Sequence, residues 1–185
     1  MQYLFFPGCN VKSRYSKSSQ LLADYLYKRY LIAPEGCCKE NYTKIDKDTK
    51  VILICNNCAA ELCKRIELNN VSFIYEIIDE DKDFIFPDYQ GMTLYLQECH
   101  HGYYNKDIET TIHSLLKKMT INYISLPEVV PEGLINKDHR AIVTQQSNHY
   151  SEYDYVTYCP ICNLTLIKNN KHSHYLLDLL FNIIE

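Results

Sequence analysis

Tryptophan is absent from this 185-residue chain, and only five glycines and six prolines punctuate it. The missing tryptophan, beside many Tyr, Ile, Asn and Lys residues, fits an AT-rich codon bias and excludes no function. No Gly-rich phosphate loop, nucleophile elbow or pair of catalytic carboxylates stands out. Flavin and nicotinamide motifs are missing as well. Positive charge is in slight deficit, with 19 Lys and Arg against 23 Asp and Glu and a formal net charge of −4. No basic stripe offsets that balance, which argues against nucleic acid as a primary partner. No apolar run is long enough to span a bilayer. The opening Met1-Gln2-Tyr3-Leu4-Phe5-Phe6-Pro7 has no basic region and too short an apolar run for a secretory signal. It reads as a first buried strand, and a cytoplasmic protein with no membrane span is expected.

What the chain does have is a core's worth of apolar residues, 46% of the total, and nine cysteines. That is more thiol than structure alone requires, and less than a small disulfide scaffold carries. An odd count without a secretory signal speaks against a disulfide framework. Clustered thiols in a reducing compartment bind metal or do redox chemistry.

The cysteines fall into a repeated pattern, so the chain reads as a duplication. Each half opens on a short apolar strand that runs into a cysteine: Tyr3-Leu4-Phe5-Phe6-Pro7-Gly8-Cys9, then Thr93-Leu94-Tyr95-Leu96-Gln97-Glu98-Cys99. A helix should follow each. Leu22, Tyr25, Leu26 and Tyr30 share one helical face in the first half, with Ser16, Ser18 and Ser19 as nearby N-caps. Ile108, Ile112, Leu115, Leu116 and Met119 form the stripe in the second. Each half then has a β-rich run ending in Cys-x-x-Cys, at Cys55-Asn56-Asn57-Cys58 and Cys159-Pro160-Ile161-Cys162. Helical stretches are expected after both, at 59–66 and 164–168. Apolar segments at 71–78 and 175–184 close the halves. The expected architecture is α/β: two pseudo-symmetric cysteine-rich halves, 1–80 and 92–185, with mostly parallel strands and a linker at 79–91. Cysteines at the carboxyl ends of such strands fall where open α/β sheets bind ligands.

In the first half Cys9, Cys37, Cys38, Cys55 and Cys58 can converge. Two residues between Cys55 and Cys58 make a turn that points both sulfurs the same way. The adjacent Cys37-Cys38 would point to opposite faces in a strand, but in a loop both can turn onto one centre. Five thiolates are one too many for a single zinc and suit a multinuclear iron–sulfur cluster; structural zinc on four of them and a metal-free dithiol–disulfide role stay open. Cys63, on the following helix, reads as a small packed hydrophobe. The second half offers only Cys99, Cys159 and Cys162, with His100 as a candidate fourth ligand. A zinc or mononuclear site and an empty site are both compatible with it. His100 and His101 either serve such a site or fill a polar loop. His172 and His174, flanking Ser173 before the last helix, read as a solvated helix start. Pro160 between two cysteines resembles a redox Cys-x-x-Cys.

Strand-Pro-Gly-Cys, then Cys-Cys, then a strand ending in Cys-x-x-Cys resembles the CCG cysteine-rich domain family. That domain occurs in duplicate in the B subunit of heterodisulfide reductase. Cys99-His100-His101-Gly102 and Val156-Thr157-Tyr158-Cys159-Pro160-Ile161-Cys162 carry the resemblance through the second half. It implies that Cys9, Cys37, Cys38, Cys55 and Cys58 hold a 4Fe-4S cluster of non-cubane type. It also implies electron transfer or disulfide reduction with a redox partner protein or a larger reductase complex. The chain departs from the family at Lys39, where CCG has glycine, and in a shorter gap from Cys38 to Cys55. It has no cysteine between Cys99 and Cys159, where 128–131 takes the place of a Cys-Cys pair, so a second complete cluster is not expected.

Overall fold

A computed structural model describes residues 2–66, 70–99, 107–126, 139–150 and 152–183. The chain divides into two compact units, Met1–Phe84 and Ile85–Glu185. Each is an α/β layer built on a parallel sheet.

The first sheet has the order β1 (Gln2–Phe6), β2 (Thr49–Leu53), β3 (Val71–Phe73). Val51, Ile52, Leu53 and Ile54 are each 1% exposed or less. An unbroken apolar run of that kind marks a parallel strand covered on both faces. The second sheet has the order β5 (Asn122–Ser125), β4 (Thr93–Leu96), β6 (Tyr155–Thr157), β7 (Ser173–Tyr175). The repeat is therefore visible in the strand order, β1-β2-β3 matching β4-β6-β7. An isolated parallel bridge between Phe5 and Pro34, with the Glu35 N–H donating to the Phe5 carbonyl at 2.7 Å, stands in the first unit where β5 stands in the second. β5 was not legible beforehand because it is an edge strand with its side chains largely outside the core.

Helices α1 (Cys9–Arg14) and α2 (Ser16–Tyr30) follow β1. Leu22 and Leu26 are fully buried, as the helical face predicts. Tyr25 and Tyr30 instead reach the buried Asp81, whose carboxylate accepts from both hydroxyls and from Arg29. The serines are not caps: Tyr15 occupies that position, and the Ser18 hydroxyl donates to the Tyr15 carbonyl at 3.1 Å. A short helix α3 (Cys38–Asn41) runs into a 3₁₀ turn at Tyr42–Lys44 ahead of β2. Helix α4 (Asn56–Cys63) follows β2, and α5 (Ile74–Glu80) springs directly from β3. The Glu76 carboxylate accepts from the Phe73 N–H at 2.7 Å, which fixes that strand-to-helix corner.

In the second unit α6 (Asp107–Lys118) buries Ile108, Ile112, Leu115 and Leu116, with Met119 just beyond, as the stripe predicts. Asp107 and Glu109 lie in its first turn and Lys117 and Lys118 in its last, all favourably placed in the helix dipole. Helix α7 (His139–Ser147) precedes β6, and α8 (Pro160–Lys168) follows it. Helix α9 (Leu176–Leu180) springs from β7. His172 and His174 therefore belong to the approach and body of a strand, not to a solvated helix start, and the His174 side chain is only 13% exposed. Within the segments 71–78 and 175–184, each read as one apolar piece, strand passes directly into helix, at Phe73–Ile74 and at Tyr175–Leu176. Among the described residues, no helix is long and apolar enough to cross a membrane.

Candidate metal centres at the strand ends

The two Cys-x-x-Cys motifs occupy the same place in the two units, and that place differs from expectation. The helix begins inside the motif rather than after it. Cys55 and Cys159 are N-caps, and Cys58 and Cys162 lie in the first turns of α4 and α8. The Cys55 carbonyl accepts from Cys58 N–H at 2.9 Å, and the Cys159 carbonyl accepts from Asn163 N–H at 3.0 Å. Pro160 sits at N1 of α8, where its missing N–H costs nothing. The positive end of a helix dipole therefore faces each sulfur pair, which favours thiolate.

In the first unit the five thiols gather closely enough to influence one another's titration. Cys9 Sγ donates to Cys37 Sγ at 3.1 Å. Cys38 feels the Cys58 and Cys37 thiols in its titration, and Cys58 feels Cys38 and Cys55 in the same way. The titration of these groups is shared out accordingly. Hydrogen bonding to Cys58, aided by the Lys39 charge, pulls the Cys38 thiol down to about 7. Hydrogen bonding to Cys37, with burial and neighbouring charge, pushes Cys9 up to about 11. Bonds to Cys38 and Cys55, then burial, push Cys58 up strongly. Of Cys9, Cys38 and Cys58, only Cys38 is drawn towards thiolate.

Two glycines shape this site. Gly8 caps α1 at φ 77°, a left-handed value, and a Cβ there would lie 3.5 Å from Cys58 Sγ. The β1–α1 turn is thereby laid against the second Cys-x-x-Cys sulfur. At Gly36 a Cβ would meet Asn41 Nδ2 at 2.8 Å, and that same amide donates to the Cys37 carbonyl at 3.1 Å. The Cys37-Cys38 loop is held by a bond that a larger residue at 36 would disturb. Cys38, Cys55 and Cys58 are buried, Cys37 is partly covered and Cys9 is exposed. Cys63 is exposed at the end of α4, contrary to the expectation that it packs as a small hydrophobe: its neighbour Leu62 takes the buried face of that last turn and Cys63 the outer one.

Asn56, inside the first Cys-x-x-Cys, is 5% exposed, and neither of its amide atoms finds a partner among the described residues. An unmade bond on such a buried group costs roughly 1–3 kcal/mol. A bound group with acceptor atoms, such as the inorganic sulfides of a cluster, suits an amide in that position. Five thiols and an orphaned amide are a donor set that fits an iron–sulfur cluster.

The second unit is tighter. Sγ atoms of Cys99, Cys159 and Cys162 lie within 4.8 Å of one another, and all three residues are buried. Tetrahedral zinc with sulfur at 2.3 Å sets its sulfurs about 3.8 Å apart, within that limit. The group can hold a metal ion. It is the only such close three-cysteine group among the described residues. Bonds to Cys159 and Cys99, together with full burial, push the Cys162 thiol well up, so metal entry must displace protons. The fourth candidate, His100, lies outside the described residues, as do His101 and 128–131.

Surrounding polar groups hold this trio, and the sequence had not singled them out. Tyr158, 3% exposed, donates from its hydroxyl to Glu98 Oε2 at 3.0 Å and accepts from Cys99 N–H at 3.2 Å. Burial, reinforced by the Glu98 charge, pushes its phenol well above the ordinary value, so it remains a donor. Glu98 Oε1 also lies 3.5 Å from His113 Nε2, and the His113 ring stacks on Tyr123. Gln97 and Gln146, both buried, bond at 2.8 Å and tie the end of β4 to α7. The one signal that could have marked Tyr158 was its position immediately before a ligand cysteine, where outer-shell partners gather. Compared with models of known protein families and with curated proteins, the chain matches none.

Proposed function

We propose that the protein is an iron–sulfur redox protein of the heterodisulfide-reductase B type, with its principal centre in the first unit. The observation that carries this reading is the gathering of Cys9, Cys37, Cys38, Cys55 and Cys58 beyond β1 and β2, where Cys9 and Cys37 are hydrogen-bonded and Cys38 and Cys58 titrate under the influence of each other and of Cys37 and Cys55. Five sulfurs exceed what one zinc takes, and spreading them over several irons disperses their charge. A cluster bound there supplies one-electron transfer and, in the resembling family, a site where sulfur can bind iron. The protein's own residues do the rest. Cys38, whose thiol is pulled down towards thiolate, offers a ready ligand; Lys39 beside it offsets negative charge. Asn56 donates to the bound group. The exposed Cys9 puts one edge of the site within reach of a donor protein. Electrons come from such a redox partner or from a larger reductase complex, since the chain has no flavin or nicotinamide motif, and the expected setting is cytoplasmic. Anaerobic purification with iron, sulfide and zinc analysis tests this. A brown protein is expected, and Cys37→Ser or Cys38→Ser should remove most of the iron and the visible absorption. A colourless protein carrying zinc alone overturns the reading.

The second unit favours a different centre. Three buried thiols within 4.8 Å suit one ion with a further position open, and the reading here is zinc held by Cys99, Cys159 and Cys162 with His100 completing the set. Under this reading the second unit is a metal-stabilised scaffold. About eight irons per chain, two 4Fe-4S clusters, would contradict it.

A further inference from the structure

The end of the second sheet opposite the cysteines carries another convergence of ligating side chains. Asp154 immediately precedes β6, whereas Cys159 follows it. Parallel pairing of β6 with β7 sets Tyr155 against Ser173 and Val156 against His174, and Tyr155 N–H donates to the His172 carbonyl at 2.9 Å. That register lays Asp154 beside His172. His172, just ahead of β7, and His174, within it, are two residues apart, a spacing that in extended backbone turns both side chains to one side. The result is that two imidazoles address one carboxylate oxygen. His172 Nδ1 lies 2.7 Å from Asp154 Oδ2, and His174 Nε2 lies 3.7 Å from the same atom. The rings meet edge to face at 5.1 Å. All three ligand atoms fall within 4.8 Å of one another.

A hydrogen bond explains the His172 contact but not the other, because His174 Nε2 is beyond hydrogen-bond reach of that oxygen. Tetrahedral coordination at 2.0–2.2 Å would place these donors about 3.3–3.5 Å apart. Small side-chain rotations therefore suffice, opening one separation and closing the other. Exposure is graded in a way that suits an open site: the His174 side chain is 13% exposed, Asp154 47% and His172 64%. One ligand is anchored in the fold, and the other two leave a face to solvent. We propose that Asp154, His172 and His174 bind a divalent first-row transition-metal ion, zinc foremost, with water in the remaining positions. Two imidazoles and a carboxylate are a borderline donor set that suits such ions and disfavours calcium or magnesium. The site contains no sulfur and is independent of both cysteine sets.

The absence of sulfur makes the test direct. The full chain, carrying whatever metal its thiols hold, is titrated with Co²⁺ and separately with Zn²⁺. Cobalt on nitrogen and oxygen ligands gives weak visible bands without the strong near-ultraviolet charge transfer of cobalt thiolate. The wild type should bind a further equivalent with that sulfur-free spectrum. Asp154→Asn and His172→Gln should each weaken it by more than the ~10–100-fold lost with an outer-shell partner, leaving thiolate-bound metal unchanged. His172 is mostly exposed, so its variant keeps the fold, and circular dichroism verifies this. If no sulfur-free equivalent appears in the wild type, or if both variants bind it as the wild type does, the proposal is wrong.

Discussion

The two units carry the same three cysteines on the same scaffold and differ in how they close over them. Cys9, Cys55 and Cys58 correspond in topology to Cys99, Cys159 and Cys162: a cysteine after the first strand, an N-cap after the next central strand, and a first-turn residue of its helix. In the second unit all three are at most 4% exposed. In the first, Cys9 is exposed and its thiol bonds to Cys37 on a separate loop. Adding the Cys37-Cys38 pair enlarges the sulfur set from three to five and leaves one side open. The duplicated fold supplies a sulfur site; the loop after the Phe5–Pro34 bridge decides whether it is a closed trio or an open set of five.

The largest test of this contrast is Cys162→Ser. Its sulfur is fully buried and joined to both partners. If the trio holds metal as proposed, its loss should destabilise the second unit by roughly 3 kcal/mol or more, a fall of about 12–24 °C in its thermal midpoint, with the visible absorption expected of the first unit preserved. Equal loss from both centres in metal analysis would show that the units are not independent. Chelation of the purified protein comes next. It should lower the thermal midpoint, since convergent thiolates repel one another once metal is gone; proven metal loss without a shift would end the idea that metal supports the fold.

Charge separates the units further. The first is closed by Asp81, where burial would raise the carboxyl but bonds from Tyr25, the Asp83 N–H and Arg29 outweigh it and hold it below its usual value. The comparable closing contact in the second unit is neutral, the Tyr89 hydroxyl donating to the Leu179 carbonyl at 2.9 Å. A depressed folded-state pKa gives stability that is present above the unfolded value, about 3.9, and lost as pH falls through the folded one. Acid should therefore weaken the first unit before the second, as followed by hydrogen exchange. Asp81→Asn should cost about 1–3 kcal/mol near neutrality through lost hydrogen bonds and flatten the acid limb. Tyr158→Phe should cost about 1–2 kcal/mol in the second unit and weaken metal retention at Cys99 without touching the first. The smallest effect is expected from Cys63→Ser, within about 0.5 kcal/mol and with no change in iron, because that thiol faces solvent.

Much of the scaffold was legible because its signals are local. Buried parallel strands show as continuous apolar runs, and α6 shows its stripe in the 3.6-residue period. Where local pattern is weak, reading failed. β5 exposes its side chains, and α7 buries only part of a polar sequence. Tyr25 and Tyr30 share a helical face with Leu22 and Leu26 but answer to a carboxylate some fifty residues away, which periodicity cannot reveal.

Residue order alone carried the two-fold repeat, the α/β class and the positions of the cysteines at strand ends, since each rests on short-range geometry. It took the folded chain to show that the Cys-x-x-Cys pairs are helix N-termini, that Cys99, Cys159 and Cys162 close into a buried trio while Cys9 stays exposed against Cys37, and that Asp154 meets two histidines eighteen and twenty residues further on. Those outcomes depend on strand register and loop closure. They are set by contacts between residues far apart in the chain, which hydrophobic period and motif spacing do not encode.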